Sequence, residues 1–263
     1  MPHLTLPDGN KLYYEVHGSG PPLLLVPGLS GVATFFDGHI PALAPHFTVI
    51  THDHLGTGRS SLALIDYSIA QMSNDVLHLM NHLDIDSAHF LGHSTGGAIG
   101  QTLALDHPKR IQRLVLSATW SISDAYFKLL FQIRAAMLRN EGPAAYLRAN
   151  SIMFYPSSWV RDHADEFDYS EDEAAQMLPN PRIMLKRIEA ITQFNRRNEL
   201  GNITAPTLII GACDDIVTPA YFSEDLSELI PNAKLVLLPS GGHFFPNVFP
   251  DAFQDNVLTF LRE

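Results

Sequence analysis

Gly92-His93-Ser94-Thr95-Gly96 is a G-x-S-x-G pentapeptide, and its flanks decide how it is read. Before it, Ala88-His89-Phe90-Leu91 reads as a short buried strand. After it, residues 97–105 read as a helix that stops near His107-Pro108. Strand, tight turn and helix make the setting of a nucleophile elbow. Such a turn strains the serine backbone and holds its hydroxyl above the sheet. Small residues at positions 92 and 96 let the strand and the helix pass closely. A glycine-rich turn with no chemistry would carry similar letters, so the rest of the chain has to decide.

A serine hydroxyl is a poor nucleophile at neutral pH. It needs a base to take its proton, and the base needs a partner to fix its tautomer. Downstream, Thr207-Leu208-Ile209-Ile210-Gly211-Ala212 reads as a buried strand running into Cys213-Asp214-Asp215-Ile216-Val217-Thr218-Pro219. Further on, Lys234-Leu235-Val236-Leu237-Leu238 is another strand, followed by Pro239-Ser240-Gly241-Gly242-His243. Upstream, Leu23-Leu24-Leu25-Val26 leads into Pro27-Gly28-Leu29-Ser30-Gly31.

These segments, in this order and together with Asp53-His54-Leu55-Gly56-Thr57-Gly58-Arg59-Ser60, resemble the α/β-hydrolase superfamily over nearly the whole chain. The resemblance implies Ser94 as nucleophile, Asp215 as the acid and His243 as the base. Asp215 is preferred because it stands four residues before Pro219. Asp214 is the alternative, and its ordinary role would be to cap the turn through backbone N–H groups. The implied oxyanion donors are the backbone N–H groups of Thr95 and Leu29. The family usually has His-Gly where this chain has Pro27-Gly28. The donor is main chain, so the change need not harm the hole. The Asp53–Ser60 loop does not follow the Walker pattern and is expected to be scaffolding.

A closer resemblance is to the RutD-type hydrolases, which imply an aminoacrylate (formerly carbamate) or amide-type substrate. It rests on Asp66-Tyr67-Ser68-Ile69-Ala70-Gln71-Met72, Phe154-Tyr155-Pro156-Ser157-Ser158-Trp159, the acid loop, and Gly241-Gly242-His243 with Asn247-Val248. Carboxylesterases, lactonases (enol-lactonases included) and C–C bond hydrolases of ring-cleavage products look similar at the motif level. So do ligand receptors that keep the triad without turnover; intact catalytic positions favour an enzyme.

The expected architecture is a mostly parallel central sheet flanked by helices, an α/β class. Residues 1–120 and 201–263 form its core. Residues 121–200 show no strand pattern and read as four or five helices, a cap inserted over the site. Ser170-Glu171-Asp172-Glu173 resembles a capping box there. Cap aromatics mostly pack helix on helix; Phe131, Phe154 and Trp159 are the candidates to face the serine. Arg134, Arg139, Arg148, Lys186 and Arg187 are read as solvated surface charges. That leaves an apolar cap favouring an uncharged or partly apolar ester or lactone.

A chain of 263 residues, 46% of them hydrophobic, can bury one sizeable core. A net charge of −11 argues against nucleic acid and anionic membrane as partners. The single cysteine, Cys213, excludes an internal disulfide and fits a reducing, cytoplasmic setting. No signal peptide is legible, and no apolar run reaches the ~18 residues of a membrane span. No HExxH, CxxC or carboxylate cluster accompanies the histidines, so no metal site is expected, and no cofactor. The expected partner is a small-molecule substrate, and a homodimer is compatible with the sequence.

Overall fold

The computed structural model describes residues 2–178 and 180–263. Eight strands form one sheet: β1 (His3–Thr5), β2 (Lys11–His17), β3 (Pro22–Val26), β4 (Thr48–His52), β5 (Ala88–His93), β6 (Ile111–Ser117), β7 (Thr207–Ala212) and β8 (Lys234–Leu238). Their order is β1-β2-β4-β3-β5-β6-β7-β8. The pairs β1–β2 and β2–β4 are antiparallel, and every later pair is parallel. The first hairpin pairs Leu4 with Leu12 around the Asp8-Gly9 turn.

Parallel strands need crossovers, and helices supply them. In chain order the helices are α1 (Ile40–Leu43), α2 (Ile69–His82), α3 (Thr95–Asp106), α4 (Ala125–Asn140), α5 (Gly142–Phe154), α6 (Ser157–Asp162), α7 (Glu171–Met177), α8 (Pro181–Thr192), α9 (Ala220–Leu229), α10 (Phe245–Val248) and α11 (Pro250–Leu261). The alternation of β3 explains why both sheet faces are covered. Leu24 and Val26 enter one buried cluster with α2, α3 and several residues of α4 and α8. Leu23 and Leu25 enter a second cluster with α11. Neighbouring side chains on a strand point to opposite faces, so two cores need two covering layers. Every residue of β5 is buried. Truncating Phe90 there to Ala should cost about 3–5 kcal/mol.

Between β6 and β7 the described residues hold five α-helices, α4 to α8, and one isolated bridge joining Ile122 to Asn195. Local chemistry starts these helices. Asp124 accepts from Phe127 N–H at 2.8 Å and caps α4. Ser170 and Glu173 form a reciprocal capping box at α7, where the sequence had placed one. α4 packs against α5 and α8. Among the described residues no helix is long and apolar enough to cross a membrane.

Candidate active site

Ser94 sits between the last residue of β5 and the first of α3. Its backbone is left-handed, φ 54° and ψ −114°, which costs a non-glycine residue about 1–3 kcal/mol. The neighbours hold it there. Its N–H donates to Ser117 O at 2.8 Å, and its carbonyl accepts from Thr119 Oγ1 at 2.8 Å. The glycines are required by closeness. A Cβ on Gly92 would lie 2.2 Å from Gly96 O, and one on Gly96 would lie 2.0 Å from Val26 O. Thr95 heads α3, and the N–H groups of a first helical turn have no intrahelical acceptor.

His243 follows the glycine loop after β8. Its Nδ1 lies 2.8 Å from Asp215 Oδ2, with both side chains almost fully buried. The remaining lone pairs of Asp215 are also used. Oδ1 accepts from Val217 N–H at 2.7 Å and Thr218 N–H at 3.0 Å, while Oδ2 accepts from Thr218 Oγ1 at 2.7 Å. A carboxylate held this way cannot rotate away from the imidazole. Asp214 takes a different task. It accepts from Ser240 Oγ at 2.6 Å, Gly242 N–H at 2.8 Å and Gly241 N–H at 3.3 Å, fastening the loop that delivers His243.

His93 turns its ring to Ser117 Oγ, 3.1 Å from Nδ1, and stacks on Phe35 at 4.6 Å between centroids. Burial holds its pKa well below the usual imidazole value, with the neighbouring His243 adding to the effect. A neutral ring therefore stands 5.1 Å from His243 and does not oppose an imidazolium there.

Asp53 is scaffolding of a specific kind. It accepts from Ala33 N–H and Arg59 N–H, each at 2.8 Å, and pairs with the Arg59 guanidinium. His54 N–H donates to Gly31 O at 2.7 Å. The loop after β4 thus fixes the loop after β3, which carries Leu29.

Ser94, His243 and Leu29 line one cavity of about 330 Å³. Its floor comes from the loops after β3, β5 and β8, and its roof from α4, α5, α7 and α8. Phe131 and Phe154 line it. Trp159 does not: it stacks on His163 at 4.1 Å and on Tyr155 at 6.1 Å, one layer out. A large aromatic on a short helix bearing no buried residue packs sideways on its neighbours.

Two of the five cap cations correct the reading of solvated charges. Arg134 is 4% exposed and Arg187 is 0% exposed, and both line the cavity. Arg187 donates Nε and Nη2 to Leu29 O at 3.2 and 2.9 Å, Nη1 to Leu55 O at 3.2 Å, and Nη2 to His54 Nδ1 at 2.8 Å. Burial lowers its pKa to about 10, so it keeps its charge at neutral pH. Arg139 and Arg148 are exposed, and Lys186 pairs with Asp66 at 2.5 Å. A signal was present in the sequence. Arg134 lies at helical spacing among Phe127, Phe131 and Leu138, and Arg187 among Ile183 and Ile191, which are the buried faces of α4 and α8.

Residues 21–150 match the family model described as alpha/beta hydrolase fold. A relative from Azorhizobium caulinodans, named putative carbamate hydrolase RutD, is 39% identical, with 100% of this chain and 99% of that one covered. A hydrolase of known structure from Pseudomonas aeruginosa is 32% identical with TM-score 0.88, covering 99% of this chain and 97% of its own. The enol-lactonase from Burkholderia xenovorans is 27% identical with TM-score 0.90, both chains covered completely.

Proposed function

This chain belongs to the α/β-hydrolases, as a hydrolase of the RutD type, and from that premise we propose that Ser94, His243 and Asp215 cleave a small organic carbonyl compound through an acyl-enzyme. One observation carries the reading. A serine in strained backbone and a histidine bonded to a buried carboxylate line the same cavity. His243 Nε2 takes the Ser94 proton as Oγ attacks the carbonyl carbon. Asp215 holds Nδ1–H and stabilises the imidazolium that forms. The N–H groups of Leu29 and Thr95 receive the oxyanion. Collapse breaks the bond to the leaving group, which takes its proton from His243. Water, deprotonated by the same imidazole, then attacks the acyl carbon and releases Ser94.

The relatives' name favours a carbamate substrate, and the same acyl-enzyme route would serve amides. Apolar walls around the cavity, and likeness to an enol-lactonase, support carboxyl esters and lactones as the second reading. A small molecule is the partner this reading needs, in the cytoplasm, with no cofactor in the cycle. The test is a fluorophosphonate probe followed by peptide mapping, and a turnover screen of p-nitrophenyl esters, lactones, small amides and enamines. Label on Ser94 is expected, together with a loss of about 10⁴-fold or more in kcat in Ser94→Ala. Label on another residue, or a Ser94→Ala variant that retains turnover, would overturn the reading.

A further inference from the structure

The cavity wall carries two guanidiniums, two imidazoles and no carboxylate among its described lining residues, in a chain of net charge −11. One guanidinium is already committed: each nitrogen of Arg187 donates to a carbonyl or to His54. Arg134 differs. Its Nε donates to Asn150 Oδ1 at 3.0 Å and its Nη2 to Tyr146 Oη at 3.1 Å. Among the described residues, Nη1 makes no hydrogen bond and no acid pairs with the group. Aromatic faces surround it. Phe131 lies 4.5 Å from Cζ, Phe154 5.0 Å and Tyr146 5.5 Å, measured to the ring centroids.

An arginine so buried and without a counter-ion is expensive to keep. Cation–π contacts and two neutral acceptors offset only part of the cost. A ligand carboxylate on the open edge would supply the missing charge and use the idle donors. Position allows it. Phe154 lies against both groups, with its ring 5.6 Å from that of His243. Arg134, Phe154, His243 and Ser94 all line the same cavity, so one molecule can meet Arg134 and Ser94 together.

Size narrows the class. About 330 Å³ compares with ~30 Å³ for each water in the liquid, so a four-atom carbamate would leave most of the space to solvent. Most of the wall that remains is apolar, with Phe35, Phe131, Phe167, Ile183 and Met184 in it.

We propose that Arg134 is an anion-binding subsite, and that the substrate is an amphipathic organic acid whose carboxylate rests on Arg134 while an alkyl or aryl frame carries its scissile carbonyl to Ser94. The inference rests on the hydrolase reading above. Its claim about binding can fail separately from that reading.

The kinetic test compares two esters of one length, p-nitrophenyl hydrogen adipate and p-nitrophenyl methyl adipate, with spontaneous hydrolysis subtracted. The wild type should favour the free acid in kcat/KM by roughly ten- to a hundredfold, the range of a hydrogen bond to a charged group. Arg134→Gln should bring the ratio near one. Arg134→Lys should restore part of it, which a purely structural arginine would not do. Circular dichroism and thermal melts establish that each variant is folded. Calorimetry with hexanoate and hexanamide on the Ser94→Ala protein asks the same question without turnover. Hexanoate should bind more tightly, and the additional Arg134→Gln change should erase the difference. Hydrolysis of both adipates without preference overturns the subsite and spares the hydrolase reading. Failure to cleave either ester, with hexanoate preferred in calorimetry, does the reverse. Equal binding of the acid and the amide, or a preference that survives Arg134→Gln, overturns the subsite.

Discussion

The floor of the cavity and its roof are built by different means. On the floor, main chain does the positioning: a left-handed serine, first-turn N–H groups, and two carboxylates gripping backbone donors. On the roof, side chains do it, through stacked rings and buried guanidiniums. Backbone devices require particular residues at fixed spacing, because only glycine tolerates a 2.0 Å approach and only a short acid reaches N–H groups two and three residues on. Packing devices require only shape and volume, which many residue combinations satisfy. The floor should therefore be intolerant of one-atom changes, and the roof should respond gradually.

The sharpest contrast lies between two adjacent floor acids. Asp215→Asn leaves the imidazole in the wrong tautomer and should lower kcat by about 10⁴-fold. Asp214→Asn loosens the histidine loop and should cost far less in kcat. Steady-state kinetics on both variants checks this. If the two effects trade places, the acid is one residue earlier and the floor has been misread.

The roof comes next. Phe131→Ala opens space against the cavity and should destabilise by about 3–5 kcal/mol while changing chain-length preference. Trp159→Ala should leave that preference as it is, since the indole lies outside the wall. A short-to-long ester series with melts for each variant decides. Altered preference in the tryptophan variant alone would move the wall outward.

The smallest expected effect is pH dependence near the floor. Burial lowers His39 and His52 to about 4 and holds His54 and His93 below their usual value. An unfolded chain binds these protons near pH 6.5, whereas native His39 and His52 do so only near 4 and native His54 and His93 well below the usual value. Stability from His39 and His52 is therefore complete above 6.5, is lost as pH falls from 6.5 to about 4, and then levels off; His54 and His93 act in the same direction. Each of the two bounded residues contributes up to about 3 kcal/mol. Denaturant melts at pH 7.5 and pH 5 measure the slope, and His52→Gln should flatten it. An unchanged slope would mean that the ring is hydrated in solution.

The same division explains what could be read in advance. Strand ends were legible because apolar runs such as Leu23-Leu24-Leu25-Val26 stop at proline or glycine, and the elbow because its glycines are spaced by contact. The helix Ile69–His82 buries Met72, Val76 and Leu79 on one face, a spacing that residue type alone displays. Residue type alone suggests Trp159 for the wall, yet which way a ring turns depends on the partners it stacks against, here Tyr155 and His163. Arg134 and Arg187 read as surface charges when residue type alone is considered. Their spacing already put them on the apolar stripe. Thr218, which donates to Asp215 and stands 3.3 Å from His243 Nδ1, carries no motif of its own.

Arg187 also ties the roof to the floor. From α8 it reaches Leu29, Leu55 and His54, residues more than a hundred positions away in the chain. Hydrogen bonds to a charged group are worth about 1.5–3 kcal/mol each, so swinging the roof open at this corner means breaking several at once. Residues 155–178 are held by ring contacts instead, such as Tyr155 with Phe167 at 5.3 Å between centroids, and Met177 stands 59% exposed beside the cavity. Rings slide at little cost where bolts must shear. Substrate and product are therefore expected to pass on the Met177 side, with the contacts of Arg187 holding α8 in place.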